Sequence, residues 1–221
     1  MAKPKTAKRP SWLYAGLSIG QAHQFTAVAV LEKTYVPDPR DERFDLSQYD
    51  LRHLERFPPG TPYGAAFERL AKMFESLAGC QLAVDQTGVG TPVMDLLRET
   101  GIDAEVEPIL ITAGHRAEHD FGAWMVPKKE LVGIMQVLLQ GRRLRVALAL
   151  PEAQTLTREL ATFRAKVTVA KPESELDWRQ GDHDDLVLAV AVAAWEAERH
   201  RPLTEADMPF VLGTRTLTFR R

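Results

Sequence analysis

Two short stretches of the chain concentrate residues able to do chemistry. In Val84-Asp85-Gln86-Thr87-Gly88-Val89-Gly90 an acid ends a short apolar run and is followed by glycines and by the helix start Thr91-Pro92. Ligands of open α/β sheets gather at the carboxyl edge of the strands, where a carboxylate is available to a hard cation such as Mg²⁺. The same aspartate suits equally a turn in which it caps its own loop. In Gly181-Asp182-His183-Asp184-Asp185-Leu186 three acids and a histidine precede an apolar helix. One acid is expected to serve as N-cap, worth about 0.5–2 kcal/mol over alanine, but capping does not need three. Asp182 and Asp185 are three apart and share a helix face, while Leu186, Ala189, Val190 and Ala193 carry the helix into the core. A carboxylate at the inner edge of a buried helix costs desolvation unless a cation or donor compensates, so this cluster favours a metal.

Other chemistries find less support. A phosphate-cradling P-loop needs Lys and Ser/Thr after its last glycine, whereas this chain has Gly90-Thr91-Pro92, and no GxGxxG spacing occurs. His183 could orient a water or donate to phosphate. His23, His53, His115 and His119 lack zinc-type spacing and are expected to be structural or loop residues. No HExxH, GxSxG or Cys/His nucleophile pattern appears. The single cysteine, Cys80, lies in an apolar stretch and is expected to be a small core residue in a reducing cytoplasm.

These residues need elements to position them. Residues 1–11 are expected to be a disordered basic arm and 201–221 a C-terminal extension, leaving 12–200 as the folded domain. Strands are predicted over 12–19, 25–32 and 49–56, with 37–48 a polar excursion before the third. A helix over 61–78, the strand 81–85, a helix over 91–100 with Thr91 as cap and Pro92 at its first position, and a strand over 105–111 follow. Residues 112–126 read as a loop, 127–140 as a helix stopped by Gly141, and 144–150 as a strand. Residues 151–162 read as a helix, 163–169 as β-like, and 186–199 as an Ala/Val-rich helix. Three consecutive strands and then alternating helix and strand predict an α/β domain whose sheet is antiparallel on one side, parallel on the other, and flanked by helices. That is the layout of a ribonuclease H-like fold, although the order alone also allows other mixed sheets.

Charge and composition set the outer limits. The 221 residues suit one large domain, and 28 Lys and Arg against 30 Asp and Glu leave a net charge of −2, so any polyanion site must be local. Basic residues gather at Lys3, Lys5, Lys8 and Arg9 and again at Arg142, Arg143 and Arg145, where a solvated tail and an ordinary strand edge are the competing readings. No apolar window is long enough for a membrane span and the basic start leads into no signal-type core, so the expectation is a soluble chain that is not exported.

Several short motifs in order make the chain resemble the nuclease domain of phage terminase large subunits, a ribonuclease H-like endonuclease family that cuts concatemeric DNA during packaging. They are Ala83-Val84-Asp85-Gln86-Thr87-Gly88-Val89-Gly90 with Val93-Met94-Asp95-Leu96-Leu97, then Val126-Pro127-Lys128-Lys129-Glu130-Leu131, Arg158-Glu159-Leu160-Ala161-Thr162-Phe163, and Asp182-His183-Asp184-Asp185-Leu186-Val187-Leu188-Ala189. The resemblance implies carboxylates from the first strand, a later parallel strand and the C-terminal helix around one or two Mg²⁺ or Mn²⁺ ions. Asp85 fits the second contribution, and Asp185, assisted by Asp184 or Asp182, the third. The first is missing: where the family carries Asp before a glycine this chain reads Gly16-Leu17-Ser18-Ile19-Gly20, and a second customary acid, in the hairpin, is Gln24. Ser18 is neutral and a poor ligand, so weakened or absent cleavage is expected. No Walker A motif occurs, and the chain is expected to lack the ATPase motor.

Three readings follow. The first is a terminase-type metal-dependent DNA endonuclease, degenerate at Ser18 and Gln24, acting on double-stranded DNA with a separate terminase ATPase or portal component. The second is a non-catalytic module that docks DNA or a packaging partner. The third is an actin-like or Rossmann-like nucleotide binder. DNA contact is expected at Lys128, Lys129, Arg142, Arg143 and Arg145, gripping phosphates without reading bases.

Overall fold

The computed structural model describes residues 10–21, 23–169 and 184–200, and only the backbone of 42 and 162–169. The basic arm up to residue 9, the segment holding Asp182 and His183, and the extension 201–221 lie outside the described residues. Among the described residues eight strands form one sheet in the order β6-β7-β5-β4-β1-β2-β3-β8. β1 (Ser11–Ser18), β2 (Thr26–Asp38) and β3 (Asp41–Phe57) are antiparallel neighbours. β4 (Gln81–Asp85), β5 (Glu105–Thr112) and β7 (Ala123–Pro127) continue from β1 in parallel. β6 (Glu118–Asp120) closes one edge antiparallel to β7, and β8 (Leu144–Val146) closes the other, parallel to β3. The expected fold class, an α/β ribonuclease H-like mixed sheet with three antiparallel strands and then parallel ones, is the one observed.

Two helical layers cover the sheet. α1 (Tyr63–Phe74) and α2 (Thr91–Glu99) bury Phe67, Leu70, Phe74, Met94 and Leu97 on one face, against Leu17, Val28, Val30, Leu82, Val84 and the buried Cys80. On the other face α5 (Asp185–Arg199) packs on β1, β2 and β4 beneath α3 (Lys128–Gln140) and α4 (Ala153–Val169). Alternation along the strands assigns Tyr14, Ala27, Ala29 and Ala83 to that second face. Gly16 is required there: a Cβ would run into the Ala189 carbonyl oxygen and come within 2.6 Å of the Ala193 nitrogen, so its absence lets α5 lie on the strand.

Several elements differ from expectation. Residues 37–48 are not an excursion but the far end of a ribbon in which β2 and β3 stay paired down to Asp38 and Asp41. A two-stranded ribbon has no buried face to impose alternation, and its turn is held by Asp38 Oδ1 accepting the Arg40 amide at 2.8 Å. The loop after β5 contains the β6–β7 hairpin, whose two turn residues Phe121 and Gly122 have φ of 49° and 74°, a primed-turn geometry matching strand twist. Residues 163–169 are helical, because an established helix propagates through residues of modest propensity. α1 stops at Phe74, β8 is only three residues long, and Gly90 rather than Thr91 is the N-cap of α2.

Candidate active site

Register and burial assemble an acidic corner. Ser18 and Asp85 are direct partners on the adjacent parallel strands β1 and β4, at the carboxyl ends of both. They share parity with Gly16 and Ala83, so both face α5. α5 runs antiparallel to β1: the Tyr14 hydroxyl donates to the carbonyl of His200 at the helix C-terminus (3.5 Å), while Ala189 and Ala193 lie over Gly16. Two strand residues advance about 6–7 Å and four helical residues about 6 Å. The head of α5, with Asp184 and Asp185, therefore comes to the level of Ser18 and Asp85.

All four side chains are enclosed, at 4% exposure for Ser18, 3% for Asp85 and 7% for both Asp184 and Asp185. Asp85 Oδ1 accepts the Thr87 amide at 2.9 Å, so the turn-capping role weighed for it is real and coexists with its place at the corner. The loop behind it is anchored to β5: Thr87 Oγ1 accepts the Ile111 amide (2.8 Å) and the Gln86 amide donates to the Ile109 carbonyl (2.9 Å). Gln24 lies in the β1–β2 turn on the same edge, its amide donating to the Gln21 carbonyl at 2.6 Å, and Gln21 Nε2 reaches the Gly88 carbonyl at 2.5 Å.

Glu159 on α4 was not expected here. Its Oε2 accepts the Leu186 and Val187 amides at 3.0 and 3.3 Å, and its Oε1 accepts Arg56 Nη1 at 3.2 Å. It caps α5 from another helix, whereas Asp184, at the N-cap position, makes no side-chain cap hydrogen bond; the expectation that an acid of the cluster caps its own helix is corrected to that extent. Burial pushes the Glu159 carboxyl up to about 7, against the pull of the Val187 amide and Arg56. The sequence held a partial signal, since Glu159 belongs to one of the resembling stretches, but nothing local marked it as a cap for a helix 27 residues away.

The donor chemistry at the corner, buried carboxylate oxygen, fits a hard divalent cation. The donor number is small: among the described residues no three Asp, Glu, His or Cys side chains group closely enough to form a metal site. Ser18, the neutral register partner of Asp85, adds no charge to the corner.

The five basic residues divide between two ends of the molecule. Lys128 and Lys129 open α3 directly after β7, whose carboxyl end points the same way as those of β4 and β5, and Lys129 Nζ lies 3.0 Å from His115 Nδ1. Leu144, by contrast, is in register with Tyr49, Lys33 and Trp12, at the opposite end of β1 from Ser18. There Arg143 pairs with Glu198 at 2.6 Å, Arg145 pairs with Asp50, and Arg142 is exposed in a left-handed conformation with φ of 52°. The structure therefore does not bring Arg142, Arg143 and Arg145 to the acidic corner.

Among solved structures, the chain is similar to a phage nuclease. The chain is 19% identical to the large terminase nuclease of thermophilic phage G20c, with a TM-score of 0.56, covering 84% of this chain and 82% of that one. The same nuclease with bound cobalt gives 20% identity and a TM-score of 0.57 over 84% and 81% of the two chains. With bound magnesium it gives 17% and 0.53 over 88% and 83%. At these identities the likeness is one of fold. No protein-family model and no curated protein matches the chain.

Proposed function

We propose that the chain is a terminase-type, metal-dependent DNA endonuclease domain whose cleavage is weakened or lost because Ser18 replaces the first-strand acid. The observation that carries the reading is the register pairing of Ser18 with Asp85 beneath the head of α5, on a fold shared with a terminase nuclease. Asp85 and Asp185, assisted by Asp184 or by Asp182, would hold Mg²⁺ or Mn²⁺. The solved relatives with bound magnesium and cobalt support a divalent ion. Bound there, such an ion supplies an activated water and charge stabilisation for the leaving oxygen of a phosphodiester.

The protein's own groups do the rest. The Thr87 amide fixes one Asp85 oxygen and with it the orientation of the carboxylate. Lys128 and Lys129, on the same edge, hold phosphates of double-stranded DNA without reading bases. The hydroxyl of Ser18 adds no negative charge, so the site attracts a cation less strongly than it would with an acid at that position. A separate terminase ATPase or portal component would be its partner, in the cytoplasm. Among the described residues no helix is long and apolar enough to cross a membrane.

The test restores the missing acids. Ser18→Asp with Gln24→Asp is expected to produce Mg²⁺- or Mn²⁺-dependent nicking of plasmid DNA well above the native chain. If the folded double variant does not nick, the site is wrongly placed. The neutral Ser18 and the small donor number favour one second reading, a non-catalytic module that docks DNA or a packaging partner. It predicts native DNA binding that metal removal leaves unchanged.

A further inference from the structure

We propose, resting on the metal-dependent reading above, that Glu159 is a positioning residue for Asp184 and Asp185, with Arg56 as its anchor. The need arises from burial. Every residue of α5 from Asp185 to Ala197 is buried, so the amides of its first turn have no water to donate to. An orphaned buried amide is costly, and the nearest acceptors in sequence are the aspartates of the cluster themselves. A carboxylate spent on helix amides has fewer lone pairs for a cation. Glu159 takes over that task from α4, with one oxygen on both the Leu186 and Val187 amides.

Its other oxygen is held by Arg56 of β3 at 3.2 Å, and the Arg56 guanidinium lies 3.9 Å from the centre of the Phe25 ring, beside Gln24 in the β1–β2 turn. One carboxylate therefore ties α4, the head of α5, β3 and the turn after Ser18 into a single arrangement. Its negative charge suits the positive end of the α5 dipole, and Arg56 offsets its repulsion of Asp185.

The experiment uses Mn²⁺ alone, titrated into the full chain and read as loss of the free-ion electron paramagnetic resonance signal, together with amide hydrogen exchange by NMR. Glu159→Ala is expected to raise the Mn²⁺ dissociation constant roughly 10- to 100-fold, the range for residues that orient metal ligands. Exchange should quicken at Leu186 and Val187. Glu159→Gln, which keeps an acceptor for those amides, should recover most of both effects. Should Glu159→Ala fail to fold, Glu159→Gln and Arg56→Leu carry the test, and Arg56→Leu is then expected to weaken Mn²⁺ more than Glu159→Gln does. Mn²⁺ uptake or amide exchange at Leu186 and Val187 that stays native-like in Glu159→Ala or, where that variant does not fold, in Arg56→Leu overturns this proposal alone. No uptake by the native chain or by Ser18→Asp overturns the metal reading, and this proposal with it.

Discussion

At the scale of single residues, the buried carboxylate of Glu196 is managed by cations one helical turn away and, through one of them, by an acid of β5. Glu196, 1% exposed, lies 2.9 Å from Arg199 Nη2 and 2.7 Å from His200 Nε2, with Arg199 bridging onward to Glu107 at 3.2 Å. Burial raises its carboxyl above the ordinary value of 4.5, a tendency that Arg199 and His200 oppose and Glu107 reinforces. A raised acid binds its proton more tightly in the folded than in the unfolded chain. Its contribution is whole below pH 4.5 and is lost as pH rises through the raised value. Glu196→Gln cannot titrate, so the melting-temperature advantage of the native chain over this variant is expected to shrink between about pH 4 and about pH 7. Thermal melts at both values check it, and a constant difference would contradict the assignment.

At the scale of elements, α5 organises the molecule. Both its ends are completed in trans: Glu159 receives amides at the N-terminus, and the buried Lys33 of β2 donates to the Ala197 and His200 carbonyls at the C-terminus, among the rings of Tyr14, Tyr35 and Tyr49. An anion at the positive end and a cation at the negative end both favour the helix dipole. Its seat on the sheet depends on Gly16. Gly16→Ala sets a methyl against α5 backbone, which cannot yield as a side chain can, and is expected to cost about 1–3 kcal/mol or more in urea unfolding. An unchanged midpoint would mean that α5 sits farther from β1. The elements that the sequence concealed were the far end of the β2–β3 ribbon and the β6–β7 hairpin. The β2–β3 ribbon offered no alternation, and the β6–β7 hairpin turns on Phe121-Gly122, where only the glycine hinted at a turn.

At the scale of the whole molecule, a net charge of −2 conceals a division. Acids occupy one corner, Lys128 and Lys129 flank that edge, and Arg143 and Arg145 are ion-paired at the other end. DNA affinity is expected to fall with salt, and Lys128→Ala with Lys129→Ala should lower the slope of log affinity against log salt by about 0.9 per lysine engaged. Arg143→Ala and Arg145→Ala should leave that slope nearly unchanged, and an equal loss there would move the DNA path to the far end. By itself, the sequence determined what is local: a buried strand ending in Asp85, an apolar helix headed by acids, an order of elements that yields the mixed sheet, and the absence of an acid at Ser18. Only the tertiary structure decided that Ser18 and Asp85 are register partners, that α5 returns its head to them, that Glu159 caps it, and that the arginine run faces Glu198 and Asp50. Periodicity and turn residues report a residue's nearest neighbours and its burial. Pairings such as Lys33 with Ala197, 164 residues apart, are selected by packing over the sheet as a whole.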